Sequence, residues 1–190
     1  HSTSRRQRQM CIRDSVMPQA NGSNPGYSAY DSDVAKCQIQ DAKANGSDVV
    51  IVYFHFGNEY SHSPNPDQEK MAHEVIDYGA DAVLGSHPHV TQGIEMYNGK
   101  PIFYSLGNFI FDMSNSATHI AYIVKIDFVN DTGECTVYPV IISGYLPYFM
   151  GPDEGTSLLN SLYPQCDDLE ITPEGTGKLY FNLTGDTNES

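Results

Sequence analysis

Three histidines stand where chemistry could gather. His55 follows the run "VVIVYF" (residues 49–54), and His87 and His89 flank Pro88 in "LGSHPHV" (residues 84–90). In extended backbone, residues two apart point to the same side. Pro88 fixes its own φ and removes one backbone donor, so the spacing predicts a short, stiff bracket carrying two imidazoles. Both segments end apolar, β-branched runs that read as parallel strands. If those strands are neighbours, their ends lie roughly 5–10 Å apart, and three imidazoles converge on one crevice. Open α/β sheets bind ligands at that edge. Neutral imidazole is the commonest metal ligand, and nitrogen-rich sets suit zinc, iron and manganese. Gly57 and Gly85 would let backbone approach such a site closely. The plainer alternative is a hydrogen-bonded histidine on the rim of a sheet, and an HxH pair in a turn. His62 in a polar loop and His73 beside a helix's apolar face read as structural. His119 begins a strand and has no assigned role.

The elements that must position these rings follow from local pattern. "DSDVAKCQIQDAKANG" offers Asp31 or Ser32 as N-cap, an apolar face of Val34, Cys37, Ile39 and Ala42, and Asn45-Gly46 as a stop. "DVVIVYF" (48–54) is a continuous run suited to a strand buried on both faces. "NPDQEKMAHEVIDYGAD" predicts a second helix with Pro66 at its start, Met71, Ala72, Val75 and Ile76 on its apolar face, and Gly79 past its end. "DAVLG" (81–85) is a second strand. Helix, strand, helix, strand is the order of an α/β fold with parallel neighbours. Asn98-Gly99 then marks a hairpin turn. Strands are expected at 120–128 and 134–142 with "NDTGE" between them. Near the end, "LLNSLY" reads as a short helix and "KLYFNL" as a short strand.

Composition bounds the function. The chain has 190 residues, 39% of them hydrophobic, with a net charge of −14. That is room for one ordinary domain. The charge repels nucleic acid and anionic membrane, so neither is an expected partner. No run is long and apolar enough to span a bilayer, and the N-terminus lacks a signal-peptide core. Cys11, Cys37, Cys135 and Cys166 form no CxxC pair, which argues against a thiolate zinc site. Residues 1–15, "HSTSRRQRQMCIRDS", hold every arginine of the chain: Arg5, Arg6, Arg8 and Arg13. They read either as a basic arm or as a non-native segment. Their similarity to translated sequencing-adapter sequence favours the second, and the segment is set aside from fold reasoning.

"VYFHFGNEY" and "PDQEKMAHEVIDYGADAVLGSHPHVTQGIEMYNGKPIFYSLGNFIFD" resemble the second half of the CapA family, the bacterial capsule and poly-γ-glutamate synthesis proteins related to calcineurin-like metallophosphoesterases. The resemblance is dense over about 48–112. It includes an HxGxEY block (with Phe56 where family members usually have Trp), the GSHPHV block and the SLGNFIFD block. It implies a four-layer α-β-β-α sandwich whose N-terminal portion is missing here, residues 16–145 forming the C-terminal part of the domain and 146–190 an extension. It implies metal ligation by His55, His87 and His89, Ser86 behind them, and divalent ions (Mn, Fe or Zn), two in the full-length parent. Glu59 would orient a ligand or substrate, or form a rim salt bridge. Asn108 and Asp112 would line the cleft, or Gly107-Asn108 would serve as a tight turn. The family's upstream acidic and asparagine ligands are absent. Three histidines cannot saturate two ions, so this fragment alone is expected to be inactive.

Two functions follow from the resemblance. One is metal-dependent hydrolysis of a phosphoester or related bond. The other is a non-catalytic, polymer-binding or export subunit acting on an anionic polyglutamate or polysaccharide alongside membrane-embedded capsule synthesis subunits. Both place the protein at the extracellular face of the bacterial membrane, anchored by a missing N-terminal segment. A parallel sheet lacking its first strands would leave an open edge, so the fragment is expected to be marginally stable and to self-associate.

Overall fold

The computed structural model describes residues 28–111 and 113–183. The Arg-rich segment, the Asn/Gly-rich stretch up to residue 27 and Asp112 lie outside the described residues. Helix α1 (Ser32–Ala44) leads to strand β1 (Ile51–His55), α2 (Pro66–Asp77) and β2 (Ala82–Ser86). The hairpin β3 (Ile94–Tyr97) and β4 (Lys100–Phe103) follows, then β5 (Ile120–Val129), β6 (Thr132–Ser143) and β7 (Leu146–Phe149). Helix α3 (Pro152–Ser161), β8 (Glu170–Ile171) and β9 (Gly177–Asn182) complete the described chain.

Helices α1 and α2 begin where side chains cap them, whereas Gly151 gives α3 no side-chain cap. Asp31 accepts from the Val34 N–H at 3.0 Å, and Asn65 forms a reciprocal capping box with Gln68 ahead of Pro66. The β3–β4 turn places Asn98 and Gly99 at φ 47° and 69°, the left-handed pair that a two-residue hairpin needs. The expected 120–128 and 134–142 strands are both longer than predicted, and their turn tightens onto Asn130 at φ 55°. Of "LLNSLY" only Leu158–Ser161 are helical, as the end of α3, whose first turn starts at Pro152; Leu162 and Tyr163 lie past its end.

Two sheets result. The first has the order β1-β2-β4-β3, with β1, β2 and β4 parallel and β3 antiparallel. The second is antiparallel, β5-β6-β9-β8, with β7 paired to the far end of β6. One face of the first sheet buries Phe54, Val83, Ile102 and Tyr104 against Ala35 and Ile39 of α1 and Ala72, Val75 and Ile76 of α2. Its other face sends Ile94 and Phe103 against Tyr122, Cys135, Val137, Leu179 and Phe181 of the second sheet. Leu159 of α3 joins that inter-sheet core. The second sheet's outer face leaves Lys125, Tyr180 and Asn182 exposed. The described residues therefore stack as helices, sheet and sheet. A fourth, outer helical layer is not among them.

Two expectations shift. Strand β1 is not buried on both faces: Val52 and Phe54 point at the helices, while Ile51 and Tyr53 are 39% and 37% exposed. The inter-sheet core reaches Leu84 of β2 but not β1, which lies at the sheet edge. In α1 the buried residues are Ala35 and Ile39, and Val34 and Cys37 face solvent. The face is rotated because the helix lies on Phe54 and α2, where a small residue at 35 permits close approach.

One buried carboxylate ties the layers. Asp81, 2% exposed, accepts from Lys43 Nζ at 2.5 Å, the Val50 N–H at 2.8 Å and Lys100 Nζ at 3.3 Å. Lys100 also donates to the Asn182 and Leu183 carbonyls, so the tie runs from α1 through the first sheet to β9.

Candidate metal centre

The parallel pairing of β1 with β2 sets His55 opposite Ser86 in register. Both strands stop there, and the chain after each turns over the same rim. The His55 and His87 ring centroids lie 4.8 Å apart, and those of His87 and His89 6.1 Å. The three imidazoles therefore do gather at one edge of the first sheet. The way they do so differs from the extended bracket read from the sequence. His87 and His89 adopt φ of 109° and 62°, with Pro88 between them. Positive φ in residues bearing a Cβ stores strain, which concentrates at functional sites. Tyr60 is a third such residue at φ 64°, and its N–H donates to the Pro88 carbonyl at 2.7 Å. The loop after β1 is thus pinned on the bracket after β2.

That pin brings in a carboxylate. Ligand atoms of Glu59, His87 and His89 all lie within 4.8 Å of one another, with Glu59 exposed and both histidines half-buried. Two imidazoles and one carboxylate form the donor set of open, catalytic zinc sites and suit iron or manganese as well.

The remaining nitrogens are engaged in an order that favours this set. Asn108 donates through Nδ2 to the Thr118 carbonyl at 3.2 Å, which turns its Oδ1 toward His89 Nδ1 at 2.9 Å. His89 therefore donates from Nδ1 and keeps the Nε2 lone pair. His87 Nδ1 lies 3.1 Å from His55 Nε2, and His55 Nδ1 lies 3.3 Å from Ser86 Oγ. Burial, then the charges of His87 and His89, push the His55 pKa down to about 4, so near neutral pH its ring is uncharged. A neutral His55 that donates from Nδ1 to Ser86 accepts at Nε2 from His87 Nδ1. Two histidines each held at Nδ1 by an outer partner are what metal ligation calls for.

His55 thus sits beside His87, both its nitrogens engaged. The other sequence candidates separate. His62 Nδ1 meets the Thr91 carbonyl at 3.2 Å, and His119 Nε2 meets the Met113 carbonyl at 2.7 Å. His73 bonds both oxygens of Glu95 at 3.0 and 3.1 Å and stacks on Tyr97. Gly85 approaches the Tyr104 carbonyl, and Gly57, at φ 102°, the Gln68 amide, so the backbone closeness expected at these glycines is to the core. The aromatic rings of Tyr60 and Phe111, both exposed, stand 6.4 and 5.5 Å from that of His89. Nothing in the sequence pattern marks these two rings as part of the site. The motif run "FGNEY" contained Tyr60, but nothing in its pattern showed the ring's direction.

Comparison with known proteins adds the family. The family model "Bacterial capsule synthesis protein PGA_cap" matches residues 2–113, a span that includes the Arg-rich segment. The "PGA biosynthesis protein CapA" of Bacillus subtilis is 40% identical over 67% of this chain and 34% of its own length. The "Capsule biosynthesis protein CapA" of Bacillus anthracis is 40% identical over 56% of this chain and 26% of its own. A "Probable polyglutamine synthesis accessory protein" of Mycobacterium tuberculosis is 31% identical over 52% and 26%. The chain thus spans about a third or less of the length of these curated relatives.

Proposed function

We propose that this chain, which belongs to the bacterial capsule synthesis protein family PGA_cap, carries part of a metal-dependent hydrolase centre that works on a phosphoester or related bond during capsule or poly-γ-glutamate synthesis. The observation that carries this reading is the convergence of Glu59, His87 and His89 within 4.8 Å. An ion of zinc, iron or manganese would be held by these three, with His55 and Asn108 holding His87 and His89 from behind. When bound, such an ion supplies Lewis-acid polarisation and an activated water. The chain's own residues fix its ligands, and Tyr60 and Phe111 wall the mouth. Three donors fill one ion and leave an open position. The two-ion centre and four-layer sandwich of calcineurin-like metallophosphoesterases would require donors and a layer beyond the described residues. His55 would enter such a set by giving up its contact with His87.

The names of the relatives speak of synthesis and of an accessory role, which favours a second reading: a subunit that binds or guides an anionic polymer without cleaving it. In either case the protein would act at the outer face of the membrane beside membrane-embedded synthesis subunits. No described helix is long and apolar enough to cross a membrane. The two readings part in one experiment. Metal content and turnover of a chromogenic phosphodiester are measured on the longer protein that would contain this chain, native and His87→Ala. Hydrolysis that needs the ion and is lost in the variant supports the enzyme. Polymer binding that persists in chelator with no hydrolysis supports the subunit.

A further inference from the structure

A pair of fully buried amides lies behind the loop that carries Glu59. Gln68 and Gln92 are 1% and 0% exposed, although glutamine is rarely buried without a structural reason. Gln92 Nε2 donates to the Ser61 and Ser63 carbonyls, both at 2.9 Å. Its Oε1 accepts from Gln68 Nε2 at 2.9 Å, and Gln68 Oε1 accepts from the Asn65 N–H at 3.1 Å. The Gln68 amide also packs into the space that a Cβ on Gly57 would take. The whole loop from Gly57 to Asn65 is therefore fastened from within, on both sides of Glu59. The Tyr60 N–H to Pro88 bond and the His62 ring on Thr91 fasten its outer side to the segment that contains His89.

We infer that Gln68 and Gln92 are positioning residues for the metal centre: they set the loop that brings the exposed Glu59 carboxylate into reach of His87 and His89. Direction is built into the pair. Two carbonyls require a donor at Gln92 Nε2, so a flipped amide or a carboxylate there would set oxygen against oxygen. Gln68 then has to donate to Gln92 and accept from Asn65, which only an amide does. A buried polar network with every member satisfied specifies one geometry. A purely packing role would be served as well by apolar residues of the same size.

The inference rests on Glu59 being an ion ligand, as proposed above, and its test separates the two. Zinc and manganese affinities of the 190-residue chain are measured for the native protein, Gln92→Glu, Glu59→Gln and the double variant. Gln92→Glu is expected to weaken binding about 10-fold or more, the scale of lost outer-shell support, and to add nothing in the Glu59→Gln background. An equal loss in both backgrounds, or no loss, overturns the inference. Amide exchange at Tyr60 reads the loop without any ion. It is expected to speed at least about 10-fold in Gln92→Glu, while amides of β2 and β4 keep their protection; unchanged exchange at Tyr60 overturns it. If the native chain binds no ion, the metal reading falls, and the exchange result still decides whether the amides hold the loop. If Gln92→Glu does not fold, Gln68→Glu takes its place, because it keeps the acceptor for Asn65 and removes only the donor to Gln92.

Discussion

Asn108 fixes which nitrogen of His89 keeps its lone pair, through a single 2.9 Å contact. Replacing it by alanine removes the acceptor and frees the ring to turn. We expect Asn108→Ala to lower zinc or manganese affinity about 10- to 100-fold and Asn108→Asp, which still accepts from His89 but sets an oxygen against the Thr118 carbonyl, to restore part of it; a loss in Asn108→Asp as large as in Asn108→Ala would show that the contact only packs the turn. A second residue-scale test concerns the thiols. Burial, then the charge of Glu134, pushes the Cys135 thiol up to about 12, and Cys37 is exposed. Reactivity needs thiolate and access. Iodoacetamide at pH 8 should label Cys37 in the folded protein and Cys135 only after unfolding, read by mass spectrometry. At this scale the sequence was informative about type and silent about direction. Apolar runs ending in His55 and in His87-Pro88-His89 announced a shared rim. The positive φ at 87 and 89 could not be read there, because neither residue is glycine. The pairing of Glu59 with the two histidines depends on a hydrogen bond from Tyr60 to Pro88, across 28 residues of sequence.

Helix α2 and strand β1 show why elements are easier to foresee than faces. Asn65, Pro66 and the spacing of Ala72, Val75 and Ile76 write the start and buried stripe of α2 into the chain. The same stripe continues back to Gln68, one turn before Ala72, so a buried amide was legible by position though not by residue type. In β1 the continuous apolar run suggested two covered faces, yet one remains partly open because the second sheet stops at β2. Such coverage is a property of neighbours and leaves no trace in a local pattern. The carboxylate of Asp81 is the element-scale counterpart of the site network. Removing it leaves Lys43 and the largely buried Lys100 without their shared partner. Asp81→Ala should cost about 3 kcal/mol or more, as loss of one member of a buried ion pair does, measured by urea unfolding. A change within about 0.5 kcal/mol, the size of an ordinary surface substitution, would mean that the tie contributes little.

Across the described residues, three layers leave two unlike surfaces. The outer face of the second sheet mixes the exposed Val129 and Tyr180 with Lys125, Asn182 and the Lys178–Glu134 ion pair. The edge at β1 and the tip around β7 are apolar, with Ile51, Tyr53, Leu146, Tyr148 and Phe149 all exposed. An edge strand with no partner among the described residues, beside apolar side chains, invites pairing with another chain. Sedimentation velocity should show the 190-residue chain associating at tens of micromolar, and Tyr53→Lys should shift it toward monomer; a monodisperse native monomer would count against this. The α/β class and strand order near the site were foreseeable from the helix–strand alternation. The layer count was not, because it depends on which faces the second sheet happens to cover.

The account turns most directly on a calorimetric titration of zinc or manganese into the metal-free chain. We expect one ion per chain, with affinity reduced at least about 10-fold by His87→Ala and by Glu59→Gln, each of which removes a ligand. A native chain that takes up no ion, or variants that bind as tightly as the native chain, would contradict it.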